Sequence, residues 1–135
     1  MQDKPTFGET DLTIILNTLS PELNEGEYVF CSTNDPRVDL TDVVGVFRES
    51  EGLSVIISKT LADQLNLSYN TVLSWITLRV HSSLEAVGLT AAFSKALAEN
   101  NISCNVVAAV THDHIFVPAK DATRAMEVLT KLSEG

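Results

Sequence analysis

An α+β fold is predicted, with antiparallel sheets carrying helices on one face, and three observations lead to it. Short β-prone runs such as Glu27–Cys31, Leu53–Ser58, Leu73–Val80 and Ser103–Val110 alternate in character or are rich in Val and Ile. Between them lie stretches whose apolar residues recur at i, i+3, i+4 and i+7. Around the second half the order is strand, helix, strand, hairpin, strand, helix, which is the ferredoxin-like, split βαβ order.

Taken in order, residues 1–9 read as a loose arm. Thr10 or Asp11 can cap a helix carrying Leu12, Ile15, Leu16 and Leu19 on one face, ended by Pro21. Asn24-Glu25-Gly26 turns the chain into the strand Glu27–Cys31. Ser32–Thr41 is a loop whose acidic residues Asp35, Asp39 and Asp42 lack calcium-loop spacing. A strand over about Val43–Arg48, the turn Glu49–Gly52 and a strand from Leu53 form a hairpin. A short helix near Lys59–Leu65 follows, and Asn66–Asn70 is the best boundary. This divides the chain into residues 1–69 and residues 70–135.

In the strand Leu73–Val80, Ile76, Leu78 and Val80 are expected to face helices, with Trp75, Thr77 and Arg79 on the other side. Ser82-Ser83-Leu84-Glu85 matches a capping box. The helix it opens is expected to run to about Asn100, with Ala86, Leu89, Phe93, Ala96 and Leu97 buried. Thr111-His112-Asp113 turns the Ser103 strand into the strand His114–Val117. Pro118 opens a last helix with Ala122, Ala125, Met126, Leu129 and Leu132 on its inner face. The element order of the two halves is similar enough to suggest duplication. The second half lacks a fourth strand of its own in sequential order, so that strand must come from the first half or be absent. Two ferredoxin-like halves that share strands follow, rather than two separable beads.

Composition excludes several function classes. The 135 residues carry 18 acidic and 9 basic side chains, a net charge of −9. Such a surface repels phosphate backbones and anionic lipid, so neither nucleic acid nor membrane is an expected partner. No apolar run approaches the roughly 20 residues that span a bilayer. MQDKPTFGETD has no signal-peptide core, so a cytoplasmic protein is expected. Cys31 and Cys104 lie far apart in apolar segments and read as free thiols. No phosphate loop, nucleophile elbow or zinc-protease motif occurs, and no nucleophile, base and orienting group can be assembled from the spacing. A catalyst and a bound cofactor are therefore not expected.

The candidate ligand site is the polar junction His81, Ser82, Ser83, Leu84, Glu85, Val87 and Gly88. Amides at a helix start suit a carboxylate, and Glu85 can pair with an ammonium group. The same residues can instead serve only to cap the helix, and Gly88 can serve only packing. Asn105, between Cys104 and Val106, points away from its apolar neighbours and can hold a polar ligand end or pair across the sheet. His112, Asp113 and His114 form an HxH hairpin that can edge a site and lend it pH dependence near neutrality. With His81 the only further histidine, no metal site is expected.

WITLRVHSSLEAVGLTAAFSKALAENNISCNVVAAVTHDHIFVPAKDATRAMEVL resembles the ACT domain, with HSSLEAVGLTAA and NISCNVV its most specific parts. DLTIILNTLSPELNEGEYVFCST and VVGVFRESEGLSVIIS resemble a divergent first ACT unit. The whole is similar to small bacterial stand-alone tandem-ACT proteins of uncharacterised function. The resemblance implies a regulatory module that binds a small molecule, an amino acid above all, where two ACT units meet. It implies a homo-oligomer, and it places the ligand at His81–Gly88 and at Ser103–Val107, including Cys104, Asn105 and Val106. ACT units are usually joined to an enzyme, for which this chain leaves no room. The alternative is an assembly module that binds no metabolite.

Overall fold

The computed structural model describes residues 11–80 and 87–134. Helix α1 (Leu12–Thr18) is capped by Asp11, whose side chain accepts from the Ile14 amide. Strands β1 (Ser20–Leu23), β2 (Tyr28–Thr33), β3 (Gly45–Glu49) and β4 (Gly52–Ser58) follow, then helix α2 (Lys59–Gln64), capped by the Ser58 hydroxyl. Strand β5 (Leu73–Arg79) leads to helix α3 (Leu89–Glu99). Strands β6 (Asn105–Ala108) and β7 (Asp113–Pro118) and helix α4 (Ala122–Glu134) complete the chain. A single 3-10 turn, Ala119–Asp121, separates Pro118 from α4.

The seven strands form one antiparallel sheet in the order β3-β4-β2-β5-β7-β6, with β1 also paired to β5. Strands β1 and β2 lie end to end along one edge of β5. Ser20–Leu23 pairs with Ile76–Arg79, and Tyr28 pairs with Leu73. Between them the chain makes a short excursion, in which Gly26 takes a left-handed φ of 94°. The second half thus receives its fourth strand, β1, from the first, giving the ferredoxin-like order β1-β5-β7-β6. Strand β5 also closes the first half, as the fourth strand of β3-β4-β2-β5.

The shared strand has a counterpart in the packing. Ile15 of α1 and Leu19 at its C-cap belong to one core with Ile76 and Leu78 of β5 and Val80 just after it, Leu89, Phe93 and Leu97 of α3, Ile115 and Val117 of β7, and Ala125 and Leu129 of α4. A smaller core under α2 joins Val29, Cys31, Val55, Ile57 and Ala62. Both cores lie on the helical side of the sheet. Among the described residues no helix covers the sheet's other side, yet Ile56, Leu73 and Phe116 are buried there beneath Tyr28, Trp75, Val44 and Val107. Strand alternation explains it: Trp75 faces Phe116 across β5 and β7, while Ile76 faces Ile115 on the helical side.

Two expectations are corrected. The SPEL segment, where Pro21 is expected only to end the first helix, is a strand; Pro21 is tolerated because β1 pairs with β5 on one side only. Helix α3 begins at Leu89 rather than Ser82. Its N-cap is Gly88, with φ 96° and no side-chain cap. The capping box itself lies outside the described residues, as does Ala86. A left-handed backbone favours glycine, and a Cβ at Gly88 would stand 3.2 Å from Leu12 Cδ2. Gly88→Ala is therefore expected to cost about 1–2 kcal/mol. Thermal unfolding checks this, and an unchanged midpoint would contradict the left-handed entry to α3.

Candidate functional site

The helix-free face of the sheet carries two polar places, one at each end of β5. The first is a cavity of about 350 Å³ lined by Phe30, Asn70, Thr71, Leu73, Ser103, Asn105 and Pro118. Strand β6 is the sheet's last strand on that side, and Asn105 pairs with Phe116 of β7. That register turns the Asn105 side chain toward the helix-free face. Its Nδ2 donates to the Phe116 carbonyl at 3.2 Å, which fixes the carboxamide. Phe30 meets Phe116 edge-on, with ring centroids 5.4 Å apart. Four neutral hydrogen-bonding side chains thus stand beside three apolar ones. The cavity can bind the polar groups of a small molecule and cover an apolar part, and among the described residues its lining carries no acid or base.

The second place is a hydrogen-bonded chain across β1, β5 and β7. Thr77 lies opposite His114 and Glu22, and Trp75 is one pleat away. Trp75 Nε1 donates to His114 Nδ1 at 3.0 Å, and Thr77 Oγ1 lies 3.2 Å from the same nitrogen. Asn24 Nδ2 donates to Thr77 Oγ1 and to the Trp75 carbonyl. Arg79 donates through Nε and Nη2 to Glu22 Oε1 at 3.1 and 2.8 Å, and its Nη1 lies 3.1 Å from His112 Nε2. Burial pulls His114 below the usual imidazole range; the Arg79 charge acts in the same direction and Asp113 opposes it. Burial pushes the Asp113 carboxyl up.

Residues 7–74 and residues 70–131 each match the ACT domain family. The chain belongs to the ACT domain family. It is similar to a Vibrio cholerae protein of unknown function described as a possible transport protein, at 44% identity over 90% of this chain and 95% of that one, with a TM-score of 0.79. The regulatory subunit of aspartate kinase from Thermus thermophilus shares the fold at 8% identity, covering 88% and 97% of the two chains with a TM-score of 0.59. So does a putative C-terminal regulatory domain of aspartate kinase from Porphyromonas gingivalis, at 15% identity, 87% and 98% coverage and a TM-score of 0.57. No curated protein matches.

In this tandem ACT protein the predicted site residues fall into separate places. His81, Ser82, Ser83, Leu84 and Glu85 lie outside the described residues. Val87 is 82% exposed, beside the Gly88 cap of α3. Cys104 packs against the helical core, and burial lifts its thiol to about 11. Val106 shares the helical side with Ile115, at the sheet edge. Gly88 and Cys104 flank opposite ends of α3, whose 11 residues span roughly 16 Å. Within one chain, then, a molecule the size of an amino acid does not bridge them. Asn105 joins the cavity at one end of the face, and His112 and His114 join the network at the other.

Sequence reasoning passed over Phe30, Asn70, Thr71 and Leu73 in the cavity, and Glu22 and Asn24 in the network. Alternation did put Trp75, Thr77 and Arg79 on one face. What it cannot give is the register that sets Thr77 opposite His114.

Proposed function

We propose that this protein is a stand-alone regulatory module that binds an amino acid, or a similar small zwitterion, where two ACT units meet. Residues 1–69 and 70–135 are the two units, and two or more chains assemble in the cytoplasm. The observation that carries this reading is the cavity at Asn105, which offers hydrogen-bonding groups and an aromatic wall but no catalytic set. The shared fold with regulatory parts of aspartate kinase supports regulation over catalysis. The segment His81–Gly88, ahead of α3, supplies the second half of the ligand site from a neighbouring unit. A ligand that bridges two units favours one quaternary arrangement over another, and the population shifts.

A thermal-shift screen of the protein amino acids tests the proposal. A ligand at about 100 times its dissociation constant adds about 2.7 kcal/mol of stability. Asn105→Ala and Ser83→Ala should each abolish that gain while leaving the unliganded melting curve in place. If no amino acid at millimolar concentration raises the midpoint, this reading fails.

A second reading, an assembly module without a metabolite, has its own observation. Leu40, Val46 and Phe47 form an apolar patch along the edge strand β3, with Phe47 73% exposed. An unpaired apolar edge is a template for another strand. Phe47→Lys should then dissolve the assembly seen by sedimentation, whereas the ligand reading leaves it intact.

A further inference from the structure

The two imidazoles of the HxH hairpin have their protonation states fixed by what they touch. An indole N–H can only donate, so His114 Nδ1 must accept from Trp75. The Thr77 hydroxyl already accepts from Asn24 and so turns its own proton toward the same nitrogen. A guanidinium can only donate, so His112 Nε2 must accept from Arg79. His112 then carries its proton on Nδ1, which is buried without a partner among the described residues. Both rings are therefore neutral, and they carry opposite tautomers: His114 is protonated at Nε2, His112 at Nδ1.

These bonds tie together three strands at one seam. Asn24 and Glu22 belong to the segment that the first half contributes to β5; Trp75, Thr77 and Arg79 belong to β5; His112 and His114 bracket the start of β7. A proton added to His114 Nδ1 removes the acceptor of Trp75 and Thr77 together. A proton added to His112 Nε2 removes the acceptor of Arg79 and sets two cations 3.1 Å apart. Among the described residues, the charged or titratable groups that face these rings are Arg79 of β5, Glu22 of β1 through Arg79, and Asp113 between the two histidines. Glu22 and Asp113 favour the imidazolium and Arg79 opposes it. Burial, the largest influence on His114, also opposes it.

We propose that His112 and His114 form a pH-sensitive latch on the strand seam that joins the two halves, closed while the His114 ring is neutral and opened when His114 takes up a proton. The sign follows from the depressed His114 value. The unfolded chain takes up the proton near the ordinary value of about 6.5, and the folded chain only below it. Stability contributed by the latch is complete above about 6.5 and is lost as pH falls through the folded value.

Trp75 is the sequence's only tryptophan and reports on the latch directly. Its emission should fall on acidification from about pH 8 to about pH 5, with an apparent midpoint below 6.5. The His114→Gln variant keeps an acceptor near Trp75 but cannot be protonated, so its emission should stay flat over that range. Flat emission in the unmodified protein, or the same titration in His114→Gln, overturns the proposal. Should that variant fail to fold, the ring-nitrogen NMR spectrum of the unmodified protein decides. An Nε2-protonated His114 and an Nδ1-protonated His112 near neutrality support the latch; any other tautomer for His114, or a charged ring, refutes it.

Discussion

Phe116→Ala is expected to lower the unfolding free energy by about 3–5 kcal/mol, although the residue lies on the face of the sheet that carries no helix. Phe116 is 1% exposed. It stacks on Trp75 at 6.2 Å, meets Phe30 edge-on at 5.4 Å and shares a cluster with Ile56 and Leu73. Removing the ring deletes buried aromatic area and leaves a void that strand backbones cannot fill by collapsing. For a domain of ordinary stability, about 5–15 kcal/mol, that is a large share of the whole. Urea unfolding of the variant beside the parent measures it. Trp75 emission should shift to the red in the folded variant, because the indole loses its stacked neighbour. A loss below about 1 kcal/mol would mean that the aromatic row is a surface decoration rather than a second core. Phe116 also stands behind Phe30, which lines the Asn105 cavity, so ligand affinity should fall together with stability.

Much of the fold could be read from the residues, and the reasons are local. The alternation in WITLRV assigned Ile76, Leu78 and Val80 to the helical side, where they are buried. The spacing of Leu89, Phe93 and Leu97 assigned the inner face of α3 in the same way. The absence of a fourth strand in the second half was itself informative, because an unfinished ferredoxin-like sheet has an open position beside its first strand. Local signals failed where a competing pattern was stronger. The helix expected to follow Ser82-Ser83-Leu84-Glu85, a segment outside the described residues, is entered at Gly88 in a left-handed conformation, a glycine the sequence leaves open to a packing role. Ser20-Pro21-Glu22-Leu23 has neither β-branched residues nor a free amide at Pro21, so its strand is imposed by pairing with β5. The cavity and the histidine network depend on register between strands far apart in sequence, such as Asn105 with Phe116 and Thr77 with His114. Nothing within a short window encodes that register.

The deepest consequence of the shared strand is that the first helix should be inseparable from the second half. Ile15 of α1 is fully buried among residues of β5, α3, β7 and α4. Ile15→Ala is expected to cost about 2–5 kcal/mol, and the location of the damage matters more than its size. Amide hydrogen exchange should rise first in α3 and α4, whose inner faces rest on Ile15 and Leu19, while β4 and α2 over their separate core exchange nearly as before. A double-mutant cycle with Phe93→Ala should show coupling of about 0.5–3 kcal/mol, since the two side chains share one cluster. The same cycle between Ile15→Ala and Val55→Ala should be additive within about 0.5 kcal/mol. If exchange instead rises in β4 and α2 and leaves α3 and α4 protected, α1 stabilises its own half and the halves are separable after all. The two outcomes assign α1 to different cores, so a single exchange experiment on one variant distinguishes an interlocked pair of ACT units from a string of two.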